Sequence, residues 1–290
     1  MSAPPSDSPF LRLGPAHPAC PVVLAVPHAG RAYPDALRAM AAVPVARLEA
    51  LEDRHADLLV ADAVVAGATA FIARRARSWI DLNRDEREMD PAMIDPTPRA
   101  QDVVGSAKVR GGLGLIPRRL NGVGHLWRGR FDAADIARRI EEDHRPWHSA
   151  LAATLAEARA RFGAALLLDC HSMPPLTAHG LAGPPDVVIG DRFGRSAAPA
   201  LVERLMAIAE GDGLRVACNS PYAGGYALDR HGAPAEGRHA IQVEIDRRLY
   251  LMPDLSTPGP GVGRMRALLA RMAMAMADEL GTPMTSLAAE

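Results

Sequence analysis

The sequence predicts an α/β protein, a three-layer α/β/α sandwich around a mixed, mostly parallel sheet. Three observations predict it. Short uninterrupted runs of Val, Ile, Leu and Ala recur along the chain, which is how strands buried on both faces read. Segments with helical periodicity separate these runs, and such alternation gives a sheet covered on both sides. The 290 residues are 48% hydrophobic, enough to fill two apolar layers. Aromatics supply only 4%, so the filling falls to Ala, Val, Leu and Ile.

The elements follow in order. Residues 1–20 are rich in Pro and Ser and are expected to be a flexible N-terminal arm; residues 21–290 are expected to form a single α/β domain. Pro21–Pro27 reads as a buried strand ending in the turn Pro27-His28-Ala29-Gly30. Helices are expected over Pro34–Ala50 and Asp53–Ala66, then strands at Ala68–Ala73 and Trp79–Leu82. Residues 85–130 carry many Pro, Gly and Arg and read as long loops with a short hairpin around Lys108–Ile116; loops of that length are commonly functional. Asp132–Arg161 is helical with an interruption at Pro146. Ala164–Asp169, Asp186–Gly190, Leu214–Asn219 and Ala240–Ile245 read as strands, Ser196–Gly211 and Gly263–Leu280 as helices. Ligands of such sheets sit beyond the carboxyl ends of the strands. That rule points to His28, Asn83-Arg84, His171 and Glu244.

Composition excludes some classes. With 33 basic and 34 acidic residues the net charge is −1, against the basic excess of a nucleic-acid binder. Nearly all the basic residues are Arg, with Lys108 the single lysine, so no arginine carries meaning without a positional argument. Cys20, Cys170 and Cys218 have no CxxC spacing and read as reduced thiols. The N-terminus lacks the basic start and apolar run of a signal peptide, and no apolar stretch reaches the roughly 18–20 residues of a membrane span. The expectation is a cytoplasmic enzyme with no nucleic-acid or membrane partner and an undetermined oligomeric state.

The strand ends carry the chemistry. A lone His28 could simply bond a turn carbonyl, but His171 repeats its arrangement at a second strand end, and two neutral imidazoles suit a divalent ion such as zinc. Asp169 could orient a neighbouring ring. A catalytic zinc takes three protein ligands, and Glu52, Asp53, His55 and Asp57 cluster where the third is needed. Helix starts attract acids in any case; Asp53 is favoured, with Glu52 and Asp57 as alternatives. Asn83-Arg84, with Arg77 on the same segment, could grip a carboxylate through charge-assisted bonds. Glu244 lies inside the apolar run Ile241–Ile245, where an acid is costly unless paired, protonated or catalytic. It is the candidate general base; an edge strand turning Gln242 and Glu244 to solvent is the alternative. His148 reads as a packed helix residue, and Gly224-Gly225-Tyr226 as a loop that could cover a substrate.

Taken in order, Val26-Pro-His-Ala-Gly30, Ile80-Asp-Leu-Asn-Arg84, Asp169-Cys-His-Ser172, Pro221-Tyr-Ala-Gly-Gly225 and Val243-Glu244 resemble the N-formylglutamate amidohydrolases. Gly112-Leu-Gly-Leu-Ile-Pro117, Arg145-Pro-Trp-His148 and Ile189-Gly-Asp-Arg-Phe-Gly194 are similar too, so the resemblance runs from about residue 21 to 251. It implies a hydrolytic domain with a zinc carboxypeptidase/aspartoacylase-like fold, a sandwich of the phosphorylase/hydrolase-like kind. By it His28, Asp53 and His171 hold Zn2+ or another divalent metal, Arg77, Asn83 and Arg84 bind the substrate, and Glu244 activates water. The HxxE spacing of zinc carboxypeptidases is absent after His28, so the carboxylate ligand comes from farther along the chain. The implied reaction is hydrolysis of N-formyl-L-glutamate to formate and L-glutamate, a step of histidine catabolism. Hydrolysis of another N-acyl amino acid or small amide, and a non-catalytic metal-cleft binding protein, are the alternatives.

Overall fold

The computed structural model describes residues 8–177 and 183–281. Seven strands form one sheet: β1 (Phe10–Leu13), β2 (Val22–Val26), β3 (Thr69–Ala73), β4 (Ala165–Met173), β5 (Val187–Gly190), β6 (Val216–Cys218) and β7 (Arg238–Asp246). The spatial order is β1-β3-β2-β4-β7-β5-β6. The four central strands β3, β2, β4 and β7 are mutually parallel. β1 is antiparallel to β3, β5 antiparallel to β7, and β6 parallel to β5, so the sheet is mixed as expected.

Among the described residues ten α-helices surround it: α1 (Asp35–Met40), α2 (Val45–Leu48), α3 (Ala56–Leu59), α4 (Ala61–Val65), α5 (Ala107–Arg110), α6 (Ala133–Arg139), α7 (Arg145–Phe162), α8 (Pro199–Gly211), α9 (Tyr226–His231) and α10 (Val262–Gly281). Alternation along the strands assigns each side chain to a layer. Val22, Leu24, Leu166, Leu168, Ile241 and Val243 face a core closed by α3, α4, α8 and α10. Val23, Ala25, Phe71, Leu167 and Ala240 face the core closed by α1, α6, α7 and α9. Full burial of each such Val or Leu is worth about 1.5–3 kcal/mol, and that is what holds the three layers together. Among the described residues, no helix is long and apolar enough to cross a membrane.

The second face changes character along its length. In β4, Ala165 and Leu167 are apolar, but Asp169 and His171 follow at the same two-residue interval; in β7, Ala240 gives way to Gln242 and Glu244. The register pairs Gln242 with Asp169 and Glu244 with His171. The sheet therefore ends in a polar patch at the carboxyl ends of its central strands.

Several expectations are corrected. The arm expected over residues 1–20 contains β1, whose Phe10 and Leu13 pair with Ala73 and Ala70; residues 1–7 lie outside the described residues. The expected strand Trp79–Leu82 is a series of turns. Trp79, Ile80 and Leu82 are apolar because the turn is buried beneath α6 and α7: the Arg139 guanidinium lies 3.6 Å from the Trp79 ring centroid. The helix expected over 34–50 breaks at Ala41, because Pro44 cannot donate to a continuing helix and forces Val43 out of it. The next helix starts only at Ala56, since His55 is left-handed at φ 58°. The hairpin expected at 108–116 is the single helical turn α5, capped by Ser106 Oγ, which accepts from the Val109 amide at 3.2 Å. β4 and β7 run on past their expected ends, so His171 lies within a strand rather than after it.

Candidate active site

Backbone contacts assemble the site. The turn after β2 passes so close to the following loop that a Cβ on Gly30 would sit 2.0 Å from the Arg75 carbonyl oxygen; only glycine fits. The His28 carbonyl accepts from the Asp53 amide at 2.9 Å, carrying Asp53 to the mouth of β2. β4 delivers His171 next door, 4.7 Å from His28 between ring centroids. His28, Asp53 and His171 are all nearly inaccessible, and each offers a ligand atom within 4.8 Å of the others.

Hydrogen bonds orient the two rings. His28 Nε2 lies 2.7 Å from Asp81 Oδ1, and His171 Nε2 lies 2.9 Å from Asp169 Oδ2. A carboxylate only accepts, so each Nε2 carries a proton toward its acid, and the two Nδ1 atoms are turned into the cluster, donating when protonated and free to offer lone pairs to a bound cation. These point at one atom, Asp53 Oδ2, at 3.4 Å from His28 and 3.0 Å from His171. The other oxygen, Asp53 Oδ1, accepts from Arg247 at 3.1 Å. Two imidazole nitrogens and one carboxylate oxygen, each imidazole backed by a carboxylate, make a group that could hold a divalent metal ion.

Electrostatics favour a cation here. Asp53, Asp81, Asp169 and Glu244 are all buried, and Asp169 Oδ1 has no partner. Burial alone would raise the Asp53 carboxyl, but hydrogen bonds from His171 and His28 outweigh it and hold it well below the usual range. Burial also opposes a proton on His171; Asp169 and Asp53 outweigh it and lift that imidazole well above its usual range. Glu244 is pushed up to about 7, chiefly by burial, and takes a 2.9 Å hydrogen bond from the Gln242 amide.

The competing acids point elsewhere. Glu52 accepts from the Tyr33 hydroxyl and pairs with Arg54, and Asp57 forms a two-bond pair with Arg31 at 2.8 and 2.7 Å. His55 lies outside the cluster as well.

A cleft of about 1430 Å³ opens over the cluster, lined by His28, Asp53, Asn83, His171, Gln242 and Glu244, with Arg77, Arg84, Lys108, Arg192 and Arg247 on its walls. Arg77 donates to Asp81 Oδ2 at 2.8 Å. The buried Arg84 donates to the Leu113 carbonyl of a later loop at 2.8 Å and to the Asn83 carbonyl of its own turn at 2.5 Å. Asn83 is used structurally: Nδ2 donates to Asp169 Oδ2 at 3.2 Å, Oδ1 accepts from the Ala227 amide at 2.9 Å, and the Asn83 amide donates to Asp81 Oδ1 at 2.9 Å. Gly225 is required beside it, since a Cβ there would lie 2.5 Å from Asn83 Oδ1.

All seven predicted site residues thus meet on one cleft. Gln242 and Glu244 face inward, which removes the solvent-edge alternative. Two participants carried no individual signal. Asp81 lay inside a run misread as a strand, and Arg247 is one arginine among many. The acidic position two residues before each of Asn83 and His171 was the available clue.

Fold and site together define an α/β sandwich enzyme with a metal-competent His-Asp-His centre at the carboxyl ends of its parallel strands. More particularly, the chain belongs to the N-formylglutamate amidohydrolase family, whose model matches residues 20–251. It is 32% identical over 235 residues to the N-formylglutamate deformylase of Pseudomonas putida, covering 80% of this chain and 82% of that protein. The deformylase of the same name from Pseudomonas aeruginosa is 29% identical over the same shares of the two chains. The crystal structure of N-formylglutamate amidohydrolase from Ralstonia eutropha JMP134 superimposes with a TM-score of 0.86 at 32% identity, covering 94% of this chain and 98% of that one.

Proposed function

We propose that this protein hydrolyses N-formyl-L-glutamate to formate and L-glutamate, using a divalent metal, best matched by zinc, held by His28, Asp53 and His171. The observation that carries the reading is the convergence of both Nδ1 atoms on Asp53 Oδ2, with Glu244 in register beside His171. The donor set fits zinc: three protein ligands of the His and carboxylate type leave a position open for reactants. A zinc ion held there would supply Lewis-acid activation of water and of the formyl carbonyl at neutral pH.

The chain's own residues do the rest. Arg84 and Arg77 meet the two carboxylates of the substrate, fixing the formyl group over the cluster. Asn83, committed to Asp169 and Ala227, contributes by holding Asp169 against His171. Glu244 takes the proton of the attacking water and returns it to the departing amine nitrogen; a carboxyl near neutrality suits both transfers. Asp81 and Asp169 keep the two imidazoles in the Nε2–H tautomer, so that Nδ1 stays a lone-pair donor.

The test is metal analysis together with formate release from N-formylglutamate, N-formylglutamine and N-formylalanine. The reading expects bound zinc and a clear preference for the dicarboxylate. Zinc without hydrolysis of any of the three contradicts it.

A further inference from the structure

The Asp81–Arg84 turn supplies the partner of His28, the brace of Asp169 and a wall arginine, yet it lies in no regular element. Something outside it must fix its shape. Three successive carbonyls of the turn are capped. His148 Nε2 lies 2.9 Å from the Leu82 oxygen, the Arg84 guanidinium 2.5 Å from the Asn83 oxygen, and His144 Nε2 2.8 Å from the Arg84 oxygen.

The two histidines come from the α6–α7 junction. Residues Ile140–His144 form a wide π-type turn in which the Arg145 amide reaches back to the Ile140 carbonyl. Pro146 explains it: the ring has no N–H and crowds the carbonyl four residues earlier, and the wider turn relieves that crowding. His144 and His148 then project together, 4.5 Å apart between centroids, with Tyr226 stacked on His144 at 5.8 Å. Because a carbonyl only accepts, His148 carries its proton on Nε2 and accepts at Nδ1 from His231 Nε2 at 3.0 Å. All three imidazoles are buried.

We infer that His148 and His144 are positioning residues: they hold the Asp81–Arg84 turn by its carbonyls so that Asp81 and Asn83 keep both metal-binding imidazoles in place. Neither lines the cleft over the cluster. They act through the backbone. The inference rests on the proposed metal centre for its consequence in activity, but the turn's geometry can be tested without it.

Three proteins are compared with wild type. His148→Leu removes the donor, His148→Gln returns an N–H at the same reach, and Leu205→Ala truncates a core residue on the opposite face of the sheet. The readouts are zinc affinity by chelator competition, kcat and KM for formate release, and amide exchange across residues 79–88 in metal-free protein. His148→Leu should lose about 10-fold in zinc affinity and in kcat, the range typical of residues that orient ligands, and should exchange faster across 79–88. His148→Gln should recover to within about threefold of wild type, and Leu205→Ala should lose stability with zinc affinity and kcat retained. Should His148→Leu not fold, His144→Leu, which removes only the cap on the Arg84 carbonyl, is read the same way. A folded His148→Leu with wild-type zinc affinity and wild-type exchange overturns the inference, as does a Gln variant no better than Leu. A wild type that binds no zinc overturns the functional reading instead, and the exchange comparison then stands alone as the test of the turn.

Discussion

Acidification should unlock the histidine cluster beneath the site, and His231 gives the size of the effect. Burial, aided by Arg230 and Arg238 and opposed by Asp169, pushes His231 down from 6.5 to about 4. Its neighbour His148 is shifted in the same direction, by burial and then by His144, His231 and Arg230. A base whose pKa is lower in the folded state takes up its proton first in the unfolded chain. Stability is therefore complete above pH 6.5 and falls as the pH drops toward 4. At about 1.36 kcal/mol per pH unit, His231 alone accounts for a loss of about 2 kcal/mol at pH 5 and about 3 kcal/mol at pH 4. His231→Gln keeps an N–H toward His148 Nδ1 and removes the titration. Urea unfolding of both metal-free proteins at pH 7, 6 and 5 should show wild type losing about 2 kcal/mol more than the variant by pH 5. Parallel stability curves would refute the reasoning, because they would mean that His231 does not have to be neutral in the fold.

Other expectations concern the chemistry. Glu244→Gln keeps the shape and can keep the bond to Gln242 but cannot accept a proton; kcat should fall by about 10²–10⁴-fold with zinc content unchanged, measured as formate release beside metal analysis. Gly225→Ala forces a methyl to within 2.5 Å of Asn83 Oδ1, so kcat/KM should drop by about 10-fold or more; unaltered kinetics would show that Asn83 tolerates displacement. Arg84→Lys cannot reproduce the planar grip on a carboxylate, and KM for N-formylglutamate should rise by about 10-fold while that for N-formylalanine changes less.

The sheet was legible where apolar runs are unbroken. Val22–Val26 and the first half of β4 are buried on both faces, and such runs carry a strong strand signal; in Ile241–Ile245 the alternation of Ile and Val with Gln242 and Glu244 carries it instead. Trp79–Leu82, apolar but for Asp81, looks similar for a different reason: it is a turn buried under a helical layer, and so short a segment cannot reveal which. β1 hid within a Pro- and Ser-rich stretch because edge pairing demands little of sequence. The convergence of His28 and His171 was legible through their repeated position at strand ends, and that of Asp53 through the acidic cluster that contains it. Their supports were not, since Asp81 and Arg247 act through contacts 53 and 194 residues away in the chain. The role of Asn83 was equally hidden, because only the fold brings Ala227 and Asp169 to its amide.

The most direct measurement of the central claim is zinc content and formate release on one preparation, compared with His171→Ala. The account predicts about one zinc per chain and steady formate release in the wild type, with both lost in a folded His171→Ala protein. Full hydrolysis of N-formylglutamate by His171→Ala, or by wild type stripped of metal, would contradict it.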